Sequence, residues 1–291
     1  MDAECLDVHV HFDYGADIAA GVEAARRAGI LLAVSGVGPM FCGEGNDAVE
    51  DALRKYPDTV IGMGYVALGR GDSADTVDDL HRRGFKGLKV IAPKKDYDDA
   101  EYFPIYARAE ELGMPMLFHT GVIARSDTII ERRAAEGKPV PPHDDPRTFD
   151  IASRRMEPMC VDTIARAFPK LNCIMAHFGS TGRRDVSEGI IKWNPNVYGD
   201  LTSFSSAYEI DAEGWHIEKK YLEGYLSILR PLHPERLANK LLYGTDSEVS
   251  RFEYIAGKKA SHKALYDALG LDEEQQRGVF YDTAARLLGL E

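Results

Sequence analysis

The chain has 291 residues, 44% of them hydrophobic and 28% charged, and its 35 basic and 47 acidic side chains give a formal net charge of −12. This composition is typical of a globular protein and excludes a disordered, collagen-like or fibrous chain. The acidic balance argues against nucleic acid or an anionic membrane as the main partner, because both bind clustered positive charge.

Targeting features and cysteines indicate a cytoplasmic protein. No apolar run approaches the roughly 18–20 residues that cross a bilayer, and residues 1–5 lack the pattern of a secretory signal. The four cysteines have no CxxC spacing, which favours free thiols over a disulfide framework or a zinc finger. They are Cys5, Cys42, Cys160 and Cys173. A homo-oligomer is compatible with the sequence.

Short apolar runs rich in β-branched residues alternate with amphipathic segments along the chain. The predicted strands are residues 5–12, 31–38, 59–66, 84–91, 115–121, 172–179, 197–203 and 241–247. The spacing of apolar residues predicts helices over residues 17–28, 46–56, 73–83, 103–112, 159–168 and 184–193. We expect an Asn46 cap at the start of the second helix. Near-continuous apolar strands joined through helices indicate right-handed βαβ units and a parallel sheet.

Eight β/α units within roughly 250 residues match the size of a (β/α)8 barrel, or TIM barrel. We therefore predict an α/β fold with a single barrel domain over residues 1–291. The alternative, an open doubly wound sheet, would place a glycine-rich phosphate loop after the first strand, but this strand ends in histidines. The connections after the fifth and seventh strands are long, at residues 122–157 and 204–240. Both are expected at the C-terminal face of the barrel, where substrates bind.

The first predicted strand contains the run Asp7-Val8-His9-Val10-His11. Side chains alternate along a strand, so Asp7, His9 and His11 are expected on one face. That face is expected to point into the barrel, because outer helices would bury three polar groups in apolar packing. Two imidazoles one strand step apart can bind the same metal ion.

Other predicted strands also end in polar side chains. The fifth ends at His119, the sixth at His177 and the eighth at Asp246, while the fourth carries Lys89. A single strand-end histidine is usually a core residue, but four histidines and an aspartate buried together need partners, which a metal ion supplies. Imidazole and carboxylate favour Zn²⁺, with Mn²⁺, Fe²⁺ or Co²⁺ as alternatives, and the lack of cysteine ligands favours a catalytic site.

This pattern resembles that of the amidohydrolase superfamily, a group of metal-dependent (β/α)8 barrels. Three segments carry a finer likeness to the amidohydrolase-related branch, also called amidohydrolase 2: residues 103–115, 167–171 and 241–246. The resemblance implies that His9, His11 and His119 are metal ligands, with Asp246 and His177 as further candidates. Asp246 is then a ligand or a general base, and His177 is a second ligand or polarises or protonates the substrate. One ion is favoured over two.

Lys89 has three interpretations. In some members of the superfamily a carboxylated lysine at this place bridges two metal ions, and in others the lysine is a plain cation. A lysine that merely extends its amine to the barrel mouth is the third.

The resemblance implies two activities on a small molecule. The first is hydrolysis of an amide, lactone or ester by metal-activated water, with Asp246 taking its proton. The alternative is non-oxidative decarboxylation of an aromatic or unsaturated acid, a lyase activity. A barrel that binds a metal or ligand without catalysis is a third, weaker hypothesis.

A substrate carboxylate could pair with arginines on the predicted mouth loops, unless these are solvated surface residues. They are Arg125, Arg147, Arg183, Arg184 and Arg251. Tyr65, Phe41 and Cys42 are candidates for lining the pocket. Of the remaining histidines, His143 and His216 are candidates for lid residues, with a plain loop or helix position as the alternative. His81, His233 and His262 are expected at the surface.

Overall fold

The structure, a computed structural model, describes residues 4–143, 149–180, 182–204, 209–211, 214–216 and 219–290. Seven strands occupy the first seven predicted positions: β1 (Cys5–His11), β2 (Ile30–Ser35), β3 (Val60–Tyr65), β4 (Gly87–Val90), β5 (Met116–Phe118), β6 (Cys173–Met175) and β7 (Val197–Asp200). A hairpin follows, with strands β8 (Glu209–Asp211) and β9 (Gly214–His216). The eighth predicted strand is split into β10 (Leu241–Leu242) and β11 (Ser247–Glu248).

The parallel sheet closes on itself. Its strand order is β10-β7-β6-β5-β4-β3-β2-β1-β11, and β10 pairs with β7 while β11 pairs with β1, both in parallel. Because β10 and β11 are two pieces of one eighth strand, they join the two ends of the sheet. The predicted TIM barrel is confirmed, and the open doubly wound alternative, which would leave two free edges, is excluded.

Helices follow the strands as the sequence predicts. The six predicted helices form with ends shifted by at most two residues: α1 (Ala19–Arg27), α2 (Asn46–Lys55), α3 (Ala74–Arg82), α4 (Phe103–Glu111), α6 (Pro158–Ala167) and α7 (Arg184–Trp193). The other helices are α5 (Ser126–Ala135), α8 (Lys219–Leu229), α9 (Pro234–Leu237), α10 (Phe252–Leu269), α11 (Glu273–Arg277) and α12 (Thr283–Leu287). Among the helices described, none is both long and apolar enough to cross a membrane.

The cap of α2 differs from the prediction. Gly45 occupies the N-cap position, and Asn46 is the first helical residue. The Asn46 side chain instead exchanges two hydrogen bonds with the backbone of Tyr65, at 2.7 and 2.9 Å. The amide therefore ties α2 to the end of β3, a use that only the tertiary contact could reveal.

The apolar core has two layers. The larger one lies between the sheet and the helices, and the smaller one lies inside the barrel, where residues such as Leu6, Ile61 and Leu242 meet. Ala284 and Leu287 of α12 belong to the inner layer. This helix therefore closes the end of the barrel where the strands begin, and leaves the opposite mouth for a functional site.

A bulge in β1 changes which side chains share a face. The register of β1 against β2 shifts between Asp7 and Val10, which places one extra residue in β1. Leu6 and Val8, which flank Asp7, both belong to the layer inside the barrel. Asp7 therefore points the other way, and the prediction that it shares a face with the two histidines is wrong.

His262 is also placed differently. It lies in α10 and is fully buried, with its Nδ1 atom 2.7 Å from the hydroxyl of Tyr266 and its ring edge-on to Tyr243. The prediction of a surface position is wrong, because α10 packs one stripe against the barrel and His262 falls on that stripe. His81 and His233 are exposed, as predicted. All four cysteines are free thiols.

Helix α1 packs closely on the chain after β11. A Cβ atom built on Gly21 would lie 2.0 Å from the carbonyl oxygen of Val249, whereas one on Gly189 of α7 meets nothing within 4 Å. We expect Gly21→Ala to lower the free energy of unfolding by about 1–3 kcal/mol through overpacking. Gly189→Ala is the matched control and should raise it by about 0.5–1 kcal/mol. Urea unfolding of both variants measures these changes. Equal changes in the free energy of unfolding would contradict the close packing of Gly21 on Val249.

Candidate metal centre at the barrel mouth

The carboxyl ends of the strands bring polar side chains together, as the sequence predicts. The ring centroid of His9 lies 5.1 Å from that of His11 and 5.3 Å from that of His177. His177 in turn lies 4.9 Å from His119. Four imidazoles from β1 and from the ends of β5 and β6 therefore form one cluster.

His9 is held by its Nδ1 atom. This nitrogen lies 2.9 Å from Oδ2 of Asp200, a carboxylate on β7. Burial, with the neighbouring Lys89 cation, lowers the pKa of His9 to about 4. In the neutral ring the proton is on Nδ1, because a carboxylate can only accept. The lone pair of His9 is therefore on Nε2.

The same reasoning applies to His11. Its Nδ1 atom lies 3.1 Å from the carbonyl oxygen of Ser35, which also only accepts, so the lone pair of the neutral ring is on Nε2. Oδ1 of Asp246 lies 3.1 Å from that nitrogen and 3.3 Å from Nε2 of His9. Two ring nitrogens and one carboxylate oxygen therefore meet at one point, and Nζ of Lys89 already contacts the nitrogen of His9 at 2.8 Å.

These spacings fit a metal ion. Two ligand atoms about 2.1 Å from one ion lie about 3.0–3.4 Å apart when the angle between them is about 90–109°. The contacts of Asp246 with both imidazoles fall in this range. His9, His11 and Asp246 could therefore hold one ion through two nitrogens and one oxygen.

Asp246 is presented by a left-handed backbone, with φ of 52°. Its side chain keeps 43% of its exposure, so the carboxylate also faces the open mouth. Desolvation opposes its ionisation, whereas positive charge on the His9 and His177 rings and a hydrogen bond from His11 would hold the pKa of this carboxyl well below its usual range. Asp246 is therefore ionised and able to bind a cation or to accept a proton.

Asp200 is a site residue that the sequence reasoning missed. Besides its contact with His9, it accepts hydrogen bonds from the backbone N–H of His177 at 2.7 Å and from the hydroxyl of Thr202 at 2.9 Å. Burial would raise its pKa, but the contact with His9 and then the His177 ring and N–H lower the pKa to about 2. With both oxygens engaged, Asp200 orients ligands better than it could bind a metal ion itself. The sequence could have indicated Asp200, because it is an aspartate at the end of the seventh predicted strand, where other site residues were sought.

A relay of hydrogen bonds connects Asp200 to His119. Since Thr202 donates to Asp200, its oxygen accepts from Nδ1 of His177 at 2.6 Å. Nε2 of the neutral His177 ring then accepts from Nδ1 of His119 at 3.2 Å. The last atom, Nε2 of His119, is buried without a hydrogen-bond partner. Burial, with His177 nearby, lowers the pKa of His119 well below its usual range, so this nitrogen is a lone pair ready to coordinate.

The backbone around His177 is strained. His177 and Phe178 both have left-handed conformations, with φ of 61° and 47°. Such conformations cost roughly 1–3 kcal/mol each and persist where the surroundings fix them. The hydrogen bond from the His177 amide to Asp200 is one such constraint.

Lys89 lies inside the cluster rather than at its edge. It is 1% exposed, its Nζ atom is 2.8 Å from Nε2 of His9, and burial lowers its pKa to about 8. This position excludes a lysine that merely extends its amine into solvent.

A cavity of about 230 Å³ opens above the cluster. Its polar lining includes His9, His11, Lys89, His119 and Asp246. Its walls are largely apolar: Phe12, Val37, Phe41, Cys42, Ile91 and Ile123. Phe41 and Cys42 thus line the cavity, whereas Tyr65 lies outside this lining. Lys89 is its only lysine or arginine in the part of the chain that the structure describes.

The predicted arginines are engaged elsewhere. Arg125 pairs with Asp127 at 2.5 Å beside a neighbouring cleft, and Arg183 pairs with Glu157 at 2.8 Å. Their role in substrate binding stays a prediction.

Two further arginines also make contacts outside the cavity. Arg251 lies over the ring of Tyr254, and Arg184 over that of Phe204. Arg147 lies outside the described residues, as do the side chain of His216 and part of the loop beyond His143. Substrate binding by Arg251 likewise stays a prediction.

A buried ion pair joins the long connection after β5 to the rim. Arg133 of α5 lies 2.8 Å from Oδ1 of Asp13, and Ser250 donates to the other oxygen of Asp13 at 2.8 Å. Asp13 and Glu248 line the cavity. Burial, with Asp13 beside it, raises the pKa of Glu248. The sequence did not predict helix α5 in this long connection. The ion pair between Arg133 and Asp13 holds this helix against the mouth of the barrel.

A closed β/α barrel with a buried histidine and carboxylate cluster at its mouth defines the class of metal-dependent barrel enzymes. The amidohydrolase family model (Amidohydro_2) matches residues 7–290. The chain therefore belongs to the amidohydrolase family, whose members are metal-dependent enzymes.

Solved structures with the same fold include hydrolases and decarboxylases. A probable 2-pyrone-4,6-dicarboxylic acid hydrolase from Acinetobacter baumannii, with citric acid bound, matches 99% of this chain and 100% of its own (TM-score 0.64, 12% identity). A 2,6-dihydroxybenzoate decarboxylase with 2,6-dihydroxybenzoate bound matches 98% of this chain and 99% of its own (TM-score 0.62, 15% identity). A 5-carboxyvanillate decarboxylase from Novosphingobium aromaticivorans with manganese bound matches 94% of this chain and 84% of its own (TM-score 0.54, 18% identity). At these identities the likeness establishes the fold.

We expect Asp200→Asn to weaken the binding of a divalent metal ion by about 10–100-fold, because an amide no longer fixes the His9 tautomer. Titration of metal-free protein with Zn²⁺ against a chromophoric chelator measures this. Asp162→Asn is the matched control, since Asp162 pairs with Arg166 on an outer helix. Equal affinities in the two variants would contradict the role of Asp200.

Proposed function

We propose that this protein is a metal-dependent hydrolase whose ion is bound by His9, His11 and Asp246. The observation that carries the proposal is the position of Oδ1 of Asp246, which lies 3.3 Å from Nε2 of His9 and 3.1 Å from Nε2 of His11. While Nδ1 of each neutral ring donates to its partner, Nε2 of both rings is an acceptor, and Lys89 contacts only that of His9. A divalent cation satisfies both acceptors and matches the spacing.

His119 and His177 complete the site in this proposal. Nε2 of His119 supplies a further lone pair, and His177 orients His119 through the 3.2 Å contact of its Nε2 with Nδ1 of His119. The donor set favours Zn²⁺, with Mn²⁺, Fe²⁺ and Co²⁺ as alternatives. We propose a single ion, with Lys89 as a plain cation beside it.

The chemistry follows from the positions of these side chains. When bound, the ion supplies Lewis acidity, which polarises a carbonyl group and lowers the pKa of water. Asp246 uses Oδ1 for both imidazole contacts, so Oδ2 can accept the proton of the attacking water and pass it to the leaving group. Lys89 lines the cavity and is placed to stabilise negative charge on the attacked oxygen, while polarisation of the substrate by His177 stays a prediction.

The proposed substrate is small and carries an amide, lactone or ester group. A carboxylate on it would meet Lys89 inside the cavity, since the described arginines lie outside the lining. Arg125, Arg183 and Arg251 could bind a charged group that projects from the mouth.

Decarboxylation of an aromatic or unsaturated acid is the second candidate. The apolar walls favour it, because a carboxylate placed against Phe12 and Phe41 loses hydration that carbon dioxide does not need. In that reaction Asp246 or His177 would deliver the proton that replaces carbon dioxide on the substrate.

We expect purified protein to hold about one divalent ion per chain, and His9→Ala and His11→Ala to lose it. Elemental analysis measures the ratio, with His81→Ala, an exposed histidine, as the control. A ratio near two would contradict the single ion and favour a bridging Lys89. Full retention by both variants would remove the basis of the proposed site.

We expect Asp246→Asn, assayed at saturating metal, to slow hydrolysis by about 10²–10⁴-fold, because the proton acceptor is lost. A panel of amides, lactones, esters and aromatic acids identifies a substrate. Incorporation of ¹⁸O from labelled water into the product then establishes hydrolysis. Release of carbon dioxide without ¹⁸O uptake would reject hydrolysis in favour of decarboxylation.

A further inference from the structure

Asp7 is a fully buried carboxylate that the proposed reaction does not use. Its Oδ1 atom accepts hydrogen bonds from the backbone N–H of Thr245 at 3.0 Å and from that of His9 at 3.1 Å. Its Oδ2 atom accepts from the hydroxyl of Thr245 at 2.6 Å. Burying a carboxylate is costly unless it is bonded this fully, so the arrangement is specific.

The three donors belong to the two segments that carry the proposed ligands. His9 is itself one of these ligands, and Thr245 immediately precedes another, Asp246. One carboxylate therefore fixes the distance between the first strand and the end of the eighth at the level of the metal site. The bulge in β1 makes this possible, because it turns Asp7 away from the cavity and toward Thr245.

Two more contacts fix the same peptide units. Nζ of Lys258, on α10, donates to the carbonyl oxygen of Thr245 at 2.5 Å. The N–H of Asp246 donates to the carbonyl oxygen of His9 at 2.7 Å. The N–H, hydroxyl and carbonyl of Thr245 are thus all bonded, directly before a residue with a left-handed φ of 52°.

A left-handed aspartate needs such support. The conformation costs roughly 1–3 kcal/mol and persists where the surroundings over-determine it. If the Thr245 peptide were released, Asp246 could relax to an ordinary φ, and its carboxylate would swing away from the two imidazoles. The hydrogen bonds of Thr245 with Asp7 and Lys258 therefore determine where the Asp246 carboxylate lies relative to the two imidazoles.

We propose that Asp7, acting through Thr245, is a positioning residue that holds Asp246 in its left-handed conformation opposite His9 and His11. This inference rests on the proposed ligand set. It assigns a role to the aspartate of the D-x-H-x-H run that is distinct from metal binding and from proton transfer.

The test uses metal-free full-length protein titrated with Co²⁺, whose visible absorption reports both affinity and ligand geometry. Thr245→Val, which keeps the shape and removes the hydroxyl, and Asp7→Asn should weaken Co²⁺ binding by about 10–100-fold and change the visible spectrum. Thr245→Ser restores the hydroxyl and should return both the affinity and the spectrum toward those of the unmodified protein.

Tyr243→Phe is the matched control. It removes a buried hydrogen bond of 3.1 Å from the same segment to Ile255 of α10, but one that does not touch Thr245 or Asp246. It should lower the melting temperature and leave Co²⁺ affinity and spectrum unchanged. Circular dichroism identifies any variant that fails to fold. If Asp7→Asn fails to fold, the comparison of Thr245→Val with Thr245→Ser still decides the question.

The outcomes separate this inference from the proposed function. Thr245→Val with an affinity within twofold of the unmodified protein and the same spectrum overturns the positioning role. An Asp246→Ala variant that binds Co²⁺ as tightly as the unmodified protein overturns the ligand set itself. Loss of binding in Asp246→Ala together with unchanged binding in Thr245→Val leaves the proposed function standing and rejects the inference alone.

Discussion

Two imidazole lone pairs and a carboxylate oxygen face one another at the mouth of this barrel, and the rest of the site is arranged around that contact. The lone pairs face inward because Nδ1 of each ring has a partner that only accepts: Asp200 for His9 and the Ser35 carbonyl for His11. The partners behind the rings thus decide what the rings present to the cavity. The acidic composition of the chain is compatible with a cation at this place.

Closure of the sheet gives this contact its geometry. The eighth strand is divided so that one piece bonds β7 and the other bonds β1. The four residues between the pieces belong to neither piece, although the N–H of Asp246 still donates to the carbonyl oxygen of His9. Asp246 takes its left-handed conformation in this segment. An uninterrupted strand would alternate its side chains regularly and could not present the carboxylate in this way. The irregular segment is therefore part of the site.

Much of this organisation was predictable from individual residues. The β/α alternation predicted the barrel, and polar residues at strand ends predicted that His9, His11, His119, His177 and Asp246 would converge. Asp200 could have been found by the same rule applied to the seventh strand. Phe41 and Cys42 were recognised as candidates because they follow the second strand. Other features had no local signal: the bulge that reverses Asp7, the burial of His262 and the use of Asn46 to hold Tyr65 all depend on which segments pack together.

The sequence by itself determined the fold class and the identity of the clustered side chains, because strand periodicity and chain order place the ends of parallel strands at one mouth. The tertiary structure alone decided which atoms of those side chains face the cavity. That choice depends on hydrogen bonds between residues as far apart as His9 and Asp200, and on a register shift of one residue in β1. A spacing rule fixes positions along a strand, whereas tautomers and left-handed turns are fixed by partners from other strands.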